Sequence, residues 1–361
     1  LERAGEARSD WAASADDTAA IIQICERLDC IPLAIELAAA RTRLLSVAQI
    51  ERRLADRFGL LSKNVSDAVP RQSTLRACID WSWRLLEPEE RTALASCSLF
   101  RGSFSFAAAE AILDNPDALD VIGGLQSKSL LRSAPTDSST GEARFDLYQS
   151  IAEYARERLS VLPHREAAQR RYHAWYAARA RDWAAQLRGP HVADACRAVR
   201  RDQGNLIALV ESGPSAAALA GLDAMIPVLG LWGAALEARR LAEAAPIDED
   251  AEPEVVIRLL IHRADARRLG SDIEAAARDL ERAARLAHAT GAPGMADAVN
   301  LATARRLCDQ GRSAEALGRA RTVYESETVA LRPAAALLMG TLHLDRGDGP
   351  KALTLFDEAL S

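Results

Sequence analysis

Gly347-Asp348-Gly349-Pro350-Lys351-Ala352-Leu353-Thr354-Leu355-Phe356-Asp357-Glu358-Ala359-Leu360 is a loop that runs into a helix. Its alanines are small enough to let a partner helix approach closely, and Phe356 is the side chain expected to fill the space between packed units. Working upstream, the same punctuation recurs. Gly270, Gly311 and Gly347 are each followed four residues on by Glu274, Glu315 and Lys351, and five residues on by Ala275, Ala316 and Ala352. The glycines are separated by 41 and 36 residues. A helical segment that repeats at such an interval is a helix pair, and pairs stack because one alone cannot bury its apolar face.

The interval lies near the ~34 residues of tetratricopeptide repeats and the ~40 or more of HEAT or armadillo repeats. The closing stretch resembles the second half of a tetratricopeptide repeat. Residues 251–361 are therefore expected to form a TPR-like helical array, one that continues past Ser361.

Composition agrees with a helical chain. The 361 residues are enough for two or three domains. Alanine, the best helix former, makes up about a fifth of them. A hydrophobic fraction of 49% and a charged fraction of 27% exclude wholesale disorder. Six scattered cysteines (Cys25, Cys30, Cys78, Cys97, Cys196 and Cys308) form no CxxC pair and read as reduced structural thiols of a cytoplasmic protein. The longest apolar run, Ala224 to Leu236, contains Pro227 and falls short of the ~20 residues needed to cross a bilayer, so no membrane partner is expected. The first residue is Leu1, and the expectation is a piece of a longer polypeptide.

Upstream of the array the pattern predicts two further domains and a connector. In residues 1–74, an N-terminal helix capped by Asp16, Asp17 or Thr18 carries Ile21, Ile22, Ile24, Cys25 and Leu28. Pro32 fits the first turn of a second helix, Leu33 to Leu45. Ser46 caps a third, through Val47, Ile50 and Leu54 to about Gly59. The whole is a small bundle. In residues 75–160, helices are predicted over Leu75–Leu86, from Pro88 through Leu99, and from Phe104. An apolar run, Ser129 to Arg132, then leads through a Pro/Ser/Thr/Gly-rich loop to Arg144–Tyr148, which alternates as a half-buried strand does. Helices followed by a β-hairpin and a closing helix, Ile151 to Leu159, read as a winged helix. Residues 161–250 form a helical connector, and Ala245 to Pro253, with Asp248, Glu249, Asp250 and Glu252, reads as a solvated acidic linker. The fold class expected is mainly α: bundle, winged helix, solenoid.

Several stretches resemble the bacterial STAND regulatory ATPases of the NB-ARC type. Ile24-Cys25-Glu26-Arg27-Leu28-Asp29-Cys30-Ile31-Pro32-Leu33-Ala34-Ile35-Glu36-Leu37-Ala38-Ala39-Ala40-Arg41 is similar to that family's proline-containing motif, with Cys30 where glycine is usual. Gln72 to Ser82 resembles the opening of its winged helix, and Lys128-Ser129-Leu130 with Phe145 to Ala155 resembles the end. Arg188-Gly189-Pro190 and Gly204-Asn205-Leu206 match the helical region that follows. The resemblance covers residues 1–210 or so. It implies a nucleotide-dependent switch in which Pro32 lies beside the bound nucleotide. It also implies that Tyr148 stands where related proteins place a histidine toward the phosphate; as a residue, Tyr148 reads rather as a strand residue at a domain interface. In such proteins this region is joined to an upstream nucleotide-binding domain holding ATP or ADP with magnesium. The output is carried by DNA-binding activator domains or protein kinases, and the helical repeats sense a protein or small-molecule effector.

Catalytic machinery is missing from the chain itself. No G-x-x-x-x-G-K-[ST] occurs. Gly123-Gly124-Leu125-Gln126-Ser127-Lys128-Ser129 has the wrong spacing for a phosphate loop and follows no strand. The histidines (His164, His173, His191, His262, His288 and His343) show no metal-ligand spacing, and there is no G-x-S-x-G elbow. His288 and His343 read as surface or packing residues. Trp81, Trp83, Trp175, Trp183 and Trp232 read as packing residues. No ATP hydrolysis and no cofactor are expected of this chain alone. The rival function is transcription regulation by direct DNA contact through the winged helix and the segment 156–201, which carries 11 basic and 4 acidic residues. Against it, residues 75–155 carry 7 basic and 12 acidic residues, with Asp137 and Glu142 in the wing loop, whereas phosphate binding needs positive charge. The regulatory switch is the stronger reading.

Overall fold

A computed structural model describes residues 15–28, 30–61, 70–136, 141–187, 189–248, 250–291 and 293–360, and these are mainly α-helical with one small antiparallel sheet. The chain divides into two compact units, one ending at Trp175 and the other beginning at Tyr176.

The first unit opens with α1 (Ala15–Arg27), α2 (Pro32–Ala39), a 3₁₀ turn (Ala40–Arg43) and α3 (Val47–Leu61). Leu28, Leu37, Ile50 and Leu54 are buried among them. Pro32 occupies the start of α2, after an extended Ile31. The single helix expected over Leu33–Leu45 instead tightens at Ala40. There the Thr42 hydroxyl donates to the Ala39 carbonyl at 2.7 Å, a local bond that competes with regular helix. Ser46 caps α3 as expected, and the cap is reciprocal: Gln49 N–H donates to Ser46 Oγ, and Ser46 N–H to Gln49 Oε1.

Next come α4 (Pro70–Arg84), α5 (Pro88–Cys97), β1 (Phe104–Ser105), α6 (Phe106–Leu113), α7 (Ala118–Ser127), β2 (Arg132–Ala134), β3 (Arg144–Asp146) and α8 (Gln149–Ser160). The hairpin lies where the alternation places it, in a sheet ordered β1-β3-β2. The order of helices and strands is the one expected of a winged helix. β1 is an addition. Phe104 does not begin a helix but pairs with Phe145, and its ring stacks on Phe100 with centroids 3.9 Å apart. Ser105 then turns the strand into α6 by accepting from Ala108 N–H. Asp137 of the wing loop lies outside the described residues.

The remaining helices are α9 (Arg165–Gln186), which spans the division, α10 (Val192–Arg201), α11 (Gln203–Ser212), α12 (Ser215–Leu231), α13 (Ala235–Ala244), α14 (Pro253–Leu269), α15 (Ile273–Thr290), α16 (Pro293–Asp309), α17 (Ser313–Tyr324), α18 (Arg332–Asp345) and α19 (Gly349–Leu360). From α14 onward they stack as pairs. Val256, Ile257, Leu260, Ala283, Ala287 and Val299 form one buried cluster, and Ala304, Ala320, Ala336, Met339 and Leu355 another. No described helix is long and apolar enough to cross a membrane.

The repeat is real, but its register differs by one residue from the glycine alignment. Gly311 and Gly347 sit in the left-handed region at φ 72° and 79°, and each donates to the carbonyl three residues back, closing the preceding helix. In the first pair the left-handed residue is Ser271, at φ 64°, not Gly270. Counting from the left-handed residue, the equivalent buried alanines are Ala276, Ala316 and Ala352 rather than Ala275. Phe356 also departs from expectation. It lies against Gly340 in the same helix pair, where a Cβ would come within 2.5 Å of its ring, so it fills the gap inside a unit.

The acidic linker is likewise not a free spacer. α12 begins after Pro214 without a cap of its own, and Asp248 supplies one from a distance. Ser215 N–H donates to Asp248 Oδ2 at 2.8 Å, and Asp248 N–H donates to Ser215 Oγ at 2.7 Å. The Ser215 N–H, and after it the Ser215 hydroxyl donating to the same Oδ2 at 2.9 Å, hold the Asp248 carboxyl below its usual range.

Candidate functional site

Pro32 is exposed at the first turn of α2, and Glu36 stands one turn further along the same helix. The residue two before the proline, Cys30, adopts φ 55°, a left-handed conformation that closes α1 through Cys30 N–H to the Cys25 carbonyl at 2.9 Å. This is the physical reason a glycine suits that position: a side chain there is strained.

Tyr148 belongs to no strand. β3 ends at Asp146, and Tyr148 is the extended residue preceding α8. Its hydroxyl donates to Glu36 Oε2 at 3.2 Å. That bond joins the start of α8 to α2, the helix that Pro32 begins. The Arg132 guanidinium lies 4.8 Å from the centroid of the Tyr148 ring and pairs with Asp146 at 2.5 Å. The Asp146 hydrogen bond raises the Arg132 pKa further. Glu36 stood unremarked inside the quoted motif, whereas nothing in the sequence pointed to Arg132.

Arg41, in the 3₁₀ turn that follows α2, is 1% exposed, and its Nε and Nη2 have no hydrogen-bond partner. Burial lowers its pKa, against the opposing pull of Cys78 and Glu90. Cys78 donates to the Ala34 carbonyl, fastening α4 to α2, and burial pushes its thiol up to about 12.

The glycine-rich segment 123–129 cannot cradle a phosphate. Gly123 and Gly124 are inside α7, and the Lys128 ammonium is paired with Glu90. No group of three His, Cys, Asp or Glu side chains among the described residues is placed to hold a metal.

Several arginines of 156–201 are engaged by neighbours, although Arg165, Arg170, Arg179, Arg181, Arg197 and Arg200 are exposed. Arg158 donates to Asp80 and Tyr154, Arg156 to the Ser98 carbonyl, and Arg171 to the Ile112 carbonyl. Arg197 pairs with Asp194, and Arg179 and Arg200 lie over the rings of Trp183 and Trp232. Arg188 lies outside the described residues. Trp81 and Trp183 are buried as expected, whereas Trp232 is 47% exposed at the end of α12.

No family model matches the chain. It is 36% identical over 175 residues to an uncharacterised protein of Mycobacterium tuberculosis, covering 48% of this chain and 44% of that protein. It is 40% identical over 163 residues to another M. tuberculosis protein, whose name describes an HTH-type transcriptional regulator, covering 44% of this chain and 18% of that one. Among solved structures, a STAND (Signal Transduction ATPase with Numerous Domains) protein with a tetratricopeptide repeat sensor from Pyrococcus horikoshii aligns with 91% of this chain and 53% of its own, at 15% identity and a TM-score of 0.43. The chain thus spans less than half the length of the curated relatives it matches.

Proposed function

We propose that this chain is the regulatory and sensor region of a signal-transducing ATPase of the NB-ARC/STAND type. In this reading the nucleotide is held by an upstream domain outside the chain, and the helical array binds a protein or effector. The observation that carries it is the Tyr148–Glu36 hydrogen bond, which ties the proline-bearing helix α2 to the hairpin-bearing part of the first unit. A contact of this kind can differ between two arrangements, and only such differential contacts let a ligand shift an equilibrium. The relative named as a transcriptional regulator and the array of stacked helix pairs add support.

The test uses the longer polypeptide to which this reading assigns the chain. Tyr148→Phe removes the donor and keeps the ring, and is expected to change the ratio of ATP to ADP that copurifies, measured by chromatography of the released nucleotide. An unchanged ratio in a folded variant sinks the reading. The chain by itself is expected to release no phosphate from ATP.

Direct DNA contact through the winged helix and residues 156–201 is the second reading, and the relative's name favours it. The arginines that neighbours engage weigh against it, since phosphate contacts need guanidiniums that can turn outward. A mobility shift of duplex DNA at physiological salt that disappears in Arg197→Ala/Arg200→Ala would establish this second reading instead.

A further inference from the structure

The second unit contains a groove of about 340 Å³ that the sequence did not announce. One face of α15 lines it with Ala277, Leu280, Glu281, Ala284, Ala287 and His288. One face of α16 adds Ala296, Val299, Asn300, Thr303 and Arg306, and Arg319 closes it from α17. The spacings of three, four and seven residues put each set on a single helical stripe. The space exists because so many of these positions are alanine: a longer side chain at 277, 284 or 296 would fill it.

The polar groups are unbalanced. Arg306 uses Nη1 on Gln310 at 3.0 Å, while its Nε is buried beneath the surface with no partner and is not itself presented to the groove. Asn300 accepts from Arg319 at 2.7 Å through its side-chain oxygen. The Thr303 hydroxyl is spent on the Val299 carbonyl at 2.8 Å. Against two guanidiniums stands one carboxylate, Glu281. A groove that offers donors and positive charge over an alanine floor calls for an occupant rich in acceptors, negatively charged and narrow.

We infer that this groove binds an acidic peptide segment, its carboxylates set against Arg306 and Arg319 and its small side chains against Ala277, Ala284 and Ala296. The inference rests on the sensor reading above and names the class of partner that the array takes. Charge complementarity selects the occupant: a basic peptide would face two like charges, and a purely apolar helix would leave the two guanidiniums with Glu281 as the one carboxylate of the lining.

The experiment uses the whole 361-residue chain and fluorescence anisotropy of a short labelled peptide of alternating glutamate and alanine. Peptides of lysine and alanine, and of glutamine and alanine, serve as comparisons. The glutamate peptide is expected to bind best and to weaken as salt rises. Arg306→Gln and Arg319→Ala are each expected to lose ~10-fold in affinity or more. Ala284→Leu fills the groove from an exposed helix position with a good helix former, so it keeps the fold, which thermal melting verifies, and is expected to abolish binding. Equal binding of the lysine peptide, or full affinity in Ala284→Leu, overturns the proposal. Competition by duplex DNA that Arg319→Ala removes also overturns it, since the groove would then be reading phosphates. Peptide binding that persists while Tyr148→Phe leaves the nucleotide ratio unchanged would refute the switch and leave the groove standing. Loss of the peptide result alone would refute only the groove.

Discussion

Cys30 and Ser271 both sit at φ near +60°, where a Cβ crowds the following carbonyl. Each closes a helix at a position glycine fills without strain, as Gly311 and Gly347 do in the later repeats. Cys30→Gly and Ser271→Gly are expected to stabilise their units by about 1 kcal/mol each, after the entropy of the unfolded glycine is deducted. Chemical denaturation with unchanged m-value checks this, and a loss of stability in both would show that the side chains make contacts worth more than the strain. Residue-scale chemistry also separates the thiols. Cys30 is exposed, whereas burial pushes Cys78 and Cys97 up to about 12. Alkylation at mildly alkaline pH is expected to label Cys30 in the native chain and to reach Cys78 and Cys97 only after unfolding. Native labelling of Cys97 would contradict its burial.

At the scale of elements, ends matter more than middles. α3 and α5 carry caps that are local in sequence, Ser46 with Gln49 and Glu87 with Glu90, and both could be read directly. α12 borrows its cap from Asp248, beyond the intervening helix α13, and no local pattern signals that. Asp248→Ala is expected to cost about 1 kcal/mol, with Asp248→Asn recovering part of it, in thermal unfolding of the chain. No change in either variant would return this segment to the solvated linker first expected. The array is further held by buried charge. Asp279 on α15 accepts both nitrogens of the Arg263 fork, at 2.9 and 2.6 Å, and also Arg267 at 2.7 Å. Periodicity gives Asp279 no distinction from any exposed acid, because what makes it different is a pair of arginines on another helix.

For the molecule as a whole, the pH dependence of stability follows from which carboxylates folding favours in their charged form. Burial alone would raise the Asp223 pKa, but hydrogen bonds and charge from His262, 2.8 Å away, and Arg258, 2.6 Å away, outweigh it and leave it below its ordinary 3.8. A depressed folded pKa contributes stability that is present above 3.8 and lost as pH falls through the folded value. Asp223→Asn is therefore expected to be less stable near neutrality and to lose stability less steeply in acid, read from denaturation midpoints across that range. Equal acid slopes for both chains would remove Asp223 from the titration. Helical content, the order of helices and hairpin, Pro32 at a helix start, the Ser46 cap and the existence of a repeat could all be read from local pattern, because each depends on neighbours a few residues apart. Tyr148 reads from the sequence as a strand residue at a domain interface, but it lies just past the strand and its partner Glu36 is 112 positions away, so Glu36 and Arg132 emerge only from packing. The same holds for β1, for the one-residue shift of the first repeat, for Asp248, and for the groove between α15 and α16. Local propensity and periodicity act along the chain and are written in it, whereas a strand partner, a cap in trans and an empty space between helices are made by segments that meet only when the chain folds.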